Sequence, residues 1–235
     1  MCPAIGRGLS SRMSWHFRID RLARRYIGRP VGHLTPRYVL DRARVWVYQH
    51  QRPDAPWLTS DAISLLSSTL RKSDKGLEYG SGRSTIWFVQ KTSFLTSVEA
   101  SRTWYDRVSE AIRKQGLHNV VYRYIPANQE NPDDPYHMPY VEADAKIAPG
   151  SLDYVLVDGL YRDECVLRVV DLLKPGGILI LDNANWFIPH ATRSPFSVAT
   201  TPTRLWSEFL SRIATWRPIW TSNGVWDTAL WFKTL

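Results

Sequence analysis

Residues 75–85, Lys-Gly-Leu-Glu-Tyr-Gly-Ser-Gly-Arg-Ser-Thr, carry side chains and spacing suited to holding a ligand. A short apolar strand, Gly76 to Tyr79, runs into Gly80-Ser81-Gly82. Arg83, Ser84 and Thr85 follow, then the periodic apolar residues Ile86, Trp87 and Val89. The pattern predicts strand, tight turn and helix N-terminus. Glycine suits such a turn where φ must be positive and where a ligand approaches the bare backbone. The amide groups at the helix start favour a negative group by about 0.3–1 kcal/mol when exposed. The plain alternative is a strand-to-helix turn that holds nothing.

Two details choose among anions. A dinucleotide fingerprint ends in a small residue that lets helix and strand pack closely, and here that position is Thr85. Glu78, two residues before the first glycine, would repel a pyrophosphate but serves an ammonium group or a ribose hydroxyl. A ligand bearing carboxylate, ammonium and ribose fits better, and S-adenosylmethionine has all three. A nicotinamide-type oxidoreductase is disfavoured by the same two residues.

Further candidates end later strands. Glu99 lies 17 residues beyond Gly82, where a carboxylate can accept ribose hydroxyls. It reads equally as a solvated acid before a helix capped by Ser101. Asp158 and the pair Asp182-Asn183 are hard oxygen donors that suit Mg²⁺. They serve equally as sheet-end acids near the ligand's amino group. His190, on the loop after the fifth strand, is a candidate base, against an ordinary surface histidine. No Ser-His-Asp or zinc spacing occurs, and Asp134-Pro135-Tyr136 is a loop.

The elements that position these residues alternate. Strands are expected at 76–79, 94–98, 120–125, 153–157 and 178–181. Helices are expected at 102–115 and 162–173, the latter closed by Lys174-Pro175-Gly176-Gly177. Residues 126–140 are expected as a loop. This order implies a doubly wound, mostly parallel sheet with ligands at the carboxyl ends of its strands. A helix is expected over 202–216. Pro218–Thr221 and Val225–Phe232 then flank Ser222-Asn223-Gly224, a hairpin signal that makes the last strand antiparallel.

Composition bounds the rest. The apolar fraction, 44%, suffices for a sizeable core. No apolar run approaches the roughly 18–20 residues of a membrane span. The first residues show no signal-peptide pattern. Cys2 and Cys165 are far apart, so a reduced, cytoplasmic setting is expected, with a peripheral membrane location as its variant. The net charge is +8, and residues 1–52 hold eleven arginines against Asp20 and Asp41. Trp15, Ile19, Leu22 and Tyr26 recur at helical spacing among them. That stripe reads either as a helix capping the core or as a basic amphipathic helix for an anionic membrane surface, with nucleic acid less favoured. A helix over 38–48 and another from Thr59 or Ser60 to Leu70 follow. The expected division is a basic helical extension, 1–56, and an α/β domain, 57–235. Most of the eleven tryptophans are assigned to core positions rather than to base stacking.

At Leu-Glu-Tyr-Gly-Ser-Gly, Val-Glu-Ala-Ser, Asp-Tyr-Val-Leu-Val-Asp-Gly and Leu-Lys-Pro-Gly-Gly-Ile-Leu-Ile-Leu-Asp-Asn-Ala, residues 76 to 185 resemble class I (Rossmann-like) S-adenosylmethionine-dependent methyltransferases. The resemblance implies that Glu78, Tyr79, Gly80, Ser81, Gly82, Thr85, Glu99 and Asp158 hold S-adenosylmethionine. Asp158, Asp182 and Asn183 are similar to the metal site of catechol-type O-methyltransferases, which implies Mg²⁺ acting on an acceptor hydroxyl. The sequence departs from that group at Tyr161, followed by Arg162, where the catechol-type enzymes carry a lysine base. Asp158, Asp182 and His190 are the catalytic candidates. The expected acceptor is a hydroxyl or amine on a small or a lipid- or sugar-linked molecule. The rival is a non-catalytic membrane- or nucleic-acid-binding protein of the same fold.

Overall fold

The computed structural model describes residues 33–198 and 202–234; the expected stripe of Trp15, Ile19, Leu22 and Tyr26 lies outside them. The chain divides into two units, Met1–Thr35 and Pro36–Leu235. All elements named below belong to the second, including a first helix that the sequence reading placed in the extension. In order they are α1 (Pro36–Gln51), α2 (Ser60–Thr69), β1 (Lys75–Tyr79), α3 (Arg83–Lys91), β2 (Phe94–Glu99), α4 (Arg102–Lys114), β3 (Val120–Tyr124), α5 (His137–Val141), β4 (Leu152–Val157), α6 (Arg162–Val169), β5 (Leu173–Asp182), a 3-10 turn (Ala184–Trp186), α7 (Arg204–Arg212), β6 (Arg217–Ser222) and β7 (Asp227–Phe232).

The strands form one sheet in the order β3-β2-β1-β4-β5-β7-β6. The first five are parallel, and β7 runs antiparallel to both β5 and β6. Both faces are covered, so β4 reads as a nearly unbroken apolar run. Alternation along the strands sorts side chains between two cores. Leu77, Tyr79, Val155 and Val157 join Tyr140 of α5, Val166 of α6 and Phe209 of α7 on one face. Leu95, Tyr154, Leu156 and Ile180 join Leu66 of α2 and Phe88 of α3 on the other. Among the described residues no helix is long and apolar enough to cross a membrane.

Two expectations are corrected. Lys174-Pro175-Gly176-Gly177 does not close a helix: α6 ends at Val169, and the run lies inside β5. Leu152 pairs with Leu173 and Tyr154 with Ile178, so five steps on β5 oppose two on β4. The excess residues bulge, with Gly176 at φ +79°. Distant backbone holds the bulge: Gly176 N donates to Lys233 O and Lys233 N to Gly177 O, both at 2.9 Å. The expected loop over 126–140 ends in the short helix α5, because Tyr140 is fully buried with its ring centroid 5.7 Å from that of Tyr79.

Candidate functional site

Strand register brings the expected residues to one edge. Tyr79 aligns with Val98 and Val157, and Val157 with Leu181. The next residue on each strand, Glu99, Gly80, Asp158 and Asp182, therefore forms a row across β2, β1, β4 and β5. Three strand spacings make that row about 14 Å long. It lies at the carboxyl ends of the parallel strands, the edge where ligands bind in open α/β sheets.

Gly80 has φ +87°. A Cβ there would lie 2.6 Å from Gly159 N and 2.7 Å from the Asp158 carbonyl carbon, so a side chain would push β1 and β4 apart. Gly82 differs: a Cβ there meets no described atom within 4 Å. The turn is thus closed against the sheet at Gly80 and open at Gly82.

Glu78 is fully buried beneath the turn. Ser84 Oγ donates to its Oε1 at 2.5 Å, and Thr85 Oγ1 and Ser97 Oγ donate to its Oε2 at 2.6 Å. Burial pushes its carboxyl up from an ordinary 4.5 to about 7, against the pull of those three hydroxyls. Gly82 N donates to Thr85 Oγ1 at 3.0 Å. The Thr85 hydroxyl therefore bridges the turn to Glu78, which explains why a small residue does not stand there. Tyr79 points into the opposite core, where its hydroxyl donates to Val141 O at 2.9 Å. Of these residues, the structure brings the turn backbone, not the side chains of Glu78, Tyr79 or Thr85, to the row.

Glu99 is 7% exposed and faces the turn. Ser81 N and Ser81 Oγ donate to its Oε2 at 2.9 and 2.7 Å, and Ser101 N donates to its Oε1 at 2.6 Å. The single Ser81 hydroxyl proton goes to the carboxylate, so Tyr122 donates to Ser81 Oγ at 2.6 Å. Burial raises the Glu99 carboxyl above its ordinary range, although these donors lower it. The Tyr122 ring stacks on Tyr105 at 4.7 Å, and Tyr105 meets Tyr124 at 5.3 Å. This half-buried aromatic wall beside Glu99 had no sequence signal, since its members come from α4 and β3.

The expected metal donors hold a cation of the chain's own. Arg162 Nη2 donates to Asp158 Oδ1 at 2.8 Å and to Asp158 O at 2.7 Å. Its Nε donates to Gly159 O at 3.0 Å, and its Nη1 to Asp182 O and to Asn183 Oδ1. The Asp182 carboxylate, itself buried, accepts from Thr228 Oγ1 on β7 at 3.0 Å. The expectation of Mg²⁺ on Asp158, Asp182 and Asn183 therefore finds no support: with a guanidinium among them, these residues as arranged do not fit a divalent ion. Among the described residues no group of three or more His, Cys, Asp or Glu could hold a metal. Arg162 opens α6 four residues beyond Asp158, across a non-helical turn, so no helical spacing marked this pairing in the sequence.

The structure does not bring His190 to the row. It is exposed and lies flat on Trp220 of edge strand β6, rings 4.0 Å apart. That strand is two spacings beyond β5, where the row ends, about 10 Å. Tyr161 caps α6 at φ +46° and donates to Asp134 Oδ2 at 3.2 Å, tying the 126–136 loop over the end of β4.

No family model matches the chain, and no curated protein matches it. Solved structures share its fold. A methyltransferase from Geobacter sulfurreducens is 15% identical over 91% of this chain and 97% of its own, with TM-score 0.51. A methyltransferase-like protein from Silicibacter pomeroyi is 19% identical over 77% and 89%, with TM-score 0.52. The architecture is the class I, Rossmann-like methyltransferase fold.

Proposed function

On the premise of that fold, we propose that this chain is a methyltransferase that uses S-adenosylmethionine on a hydroxyl or amine acceptor, small or lipid- or sugar-linked. The observation that carries the reading is the row at the carboxyl edge of the sheet, with a turn closed at Gly80 and open at Gly82 beside a carboxylate, Glu99. Those residues fit the donor: the bare backbone at Gly82 leaves room for a ligand, and Glu99 accepts from hydroxyls. Bound there, S-adenosylmethionine supplies a methyl group open to in-line displacement at its sulfonium carbon.

The chain's own part is to bind and to align. Glu78 fixes the turn from beneath through Ser84, Thr85 and Ser97 and is a positioning residue. Glu99 holds ribose hydroxyls in competition with Ser81. Arg162 orients Asp158 at the edge, where the carboxylate faces the donor's amino group. Close alignment of acceptor and methyl is worth on the order of 7–11 kcal/mol in favourable cases, which leaves positioning as the main source of rate. His190 has no part in this reading, and Asp182 serves through its backbone carbonyl and its bond with Thr228.

The test is calorimetry with S-adenosylhomocysteine, followed by incubation of the protein with radiolabelled S-adenosylmethionine and cell extract. Binding and a labelled product are expected. Binding without label transfer to any fraction would favour a non-catalytic protein, and no binding would end the reading.

A further inference from the structure

Helix α1 turns an apolar face outward. At 100° per residue, Tyr38, Asp41, Val45 and Tyr48 share one side, and all four are buried or half-buried. The Asp41 carboxylate lies against the Gly224 turn of the C-terminal hairpin. Leu40, Ala43 and Val47 run along the opposite side, with Val39 and Trp46 beside them. Leu40 and Trp46 are each 59% exposed and Val39 is 58%. Leu40, Ala43 and Val47 also line an open groove with Arg44, Tyr48 and Gln51.

The exposed charge on this helix is of one sign. Its one acid, Asp41, is 4% exposed, faces inward and accepts from Arg44 Nη1 at 3.2 Å. Its arginines, Arg37, Arg42 and Arg44, are all exposed. On the helical wheel Arg37 and Arg44 border the apolar stripe on one side and Arg42 on the other. Scattered surface apolar residues are ordinary, but a contiguous apolar stripe with a basic rim marks an interaction surface.

We propose that α1 lies flat on an anionic lipid surface, independently of the methyl-transfer reading. Sixteen residues make a helix about 24 Å long, and its stripe enters the headgroup boundary while arginine stems reach out to lipid phosphates. Charge complementarity favours lipid over the other occupants. A second copy pairing through this face would set arginines against arginines with no exposed acid on the helix to answer them. A nucleic acid would meet the arginines, but its phosphates would lie over Leu40 and Val47.

The test is flotation of the full chain with vesicles of phosphatidylcholine alone and of equimolar phosphatidylcholine and phosphatidylglycerol. Binding to the anionic vesicles only, weakening with salt, is expected. Arg37→Gln and Arg42→Gln should each weaken it roughly fivefold. Leu40→Asp with Val47→Asp should abolish it while melting temperature stays unchanged, because both side chains are exposed. Three results overturn the proposal. The first is an apolar double variant that floats as well as the parent. The second is a parent that ignores anionic vesicles yet forms a dimer that Val47→Asp dissociates. The third is a parent that binds RNA and no vesicle.

Discussion

The Arg162 guanidinium meets the Asp158 carboxylate at 2.8 Å, with both side chains nearly buried. The same group reaches Asp182 O and Asn183 Oδ1. Removing one partner of such a pair leaves an uncompensated buried charge. Arg162→Ala is expected to cost about 3–5 kcal/mol in urea unfolding. Mg²⁺ should leave the parent's melting temperature unchanged. A Mg²⁺-dependent rise that Asp182→Asn removes would restore the metal site.

The two glycines of the turn should separate in their effects. Gly80→Ala places a Cβ 2.6 Å from Gly159 N and strains a positive φ, so it should lower the melting temperature. Gly82→Val has room in the fold and should keep the melting temperature while losing S-adenosylhomocysteine affinity. Unchanged affinity in a folded Gly82→Val protein would show that the open side of the turn holds no ligand.

Glu78 should give stability a particular pH dependence. Between about pH 4.5 and pH 7 the unfolded chain has lost this proton while the folded one keeps it. The unfolded state then binds fewer protons, so stability falls as pH rises through that window and levels above it. The loss amounts to about 3 kcal/mol. Glu78→Gln keeps the shape and removes the titration. Its stability relative to the parent should therefore rise from about pH 5 to about pH 8. Parallel profiles for the two proteins in urea melts would contradict this role.

Glu99→Gln keeps a group of the same size but removes the charge that two serines now satisfy. Hydrogen bonds to charged groups contribute about 1.5–3 kcal/mol, so S-adenosylhomocysteine affinity should fall about tenfold or more. Ser81→Ala should do the opposite or nothing, since it frees one lone pair on Oε2 for a ribose hydroxyl. Calorimetry on both variants checks this, and an affinity insensitive to Glu99 would move the ribose elsewhere.

Local pattern determined the alternation of strands and helices, the antiparallel ending and the strand-end positions of Glu99, Asp158 and Asp182. Periodicity, helix caps and turn residues act over a few residues, so a chain displays them without folding. The site's inner logic depended on how the elements came together, for partners near in the chain as well as far. Glu78 looked like a ligand-facing acid until β2 and α3 brought Ser97, Ser84 and Thr85 onto it. Asp158 and Asp182 looked like metal ligands until β4 and β5 paired and α6 swung Arg162 between their ends. Lys174-Pro175-Gly176-Gly177 looked like a helix stop until Lys233 came alongside to hold it as a bulge. A carboxylate's role is set by whether water, a hydroxyl or a cation surrounds it, and only the assembled sheet decided that.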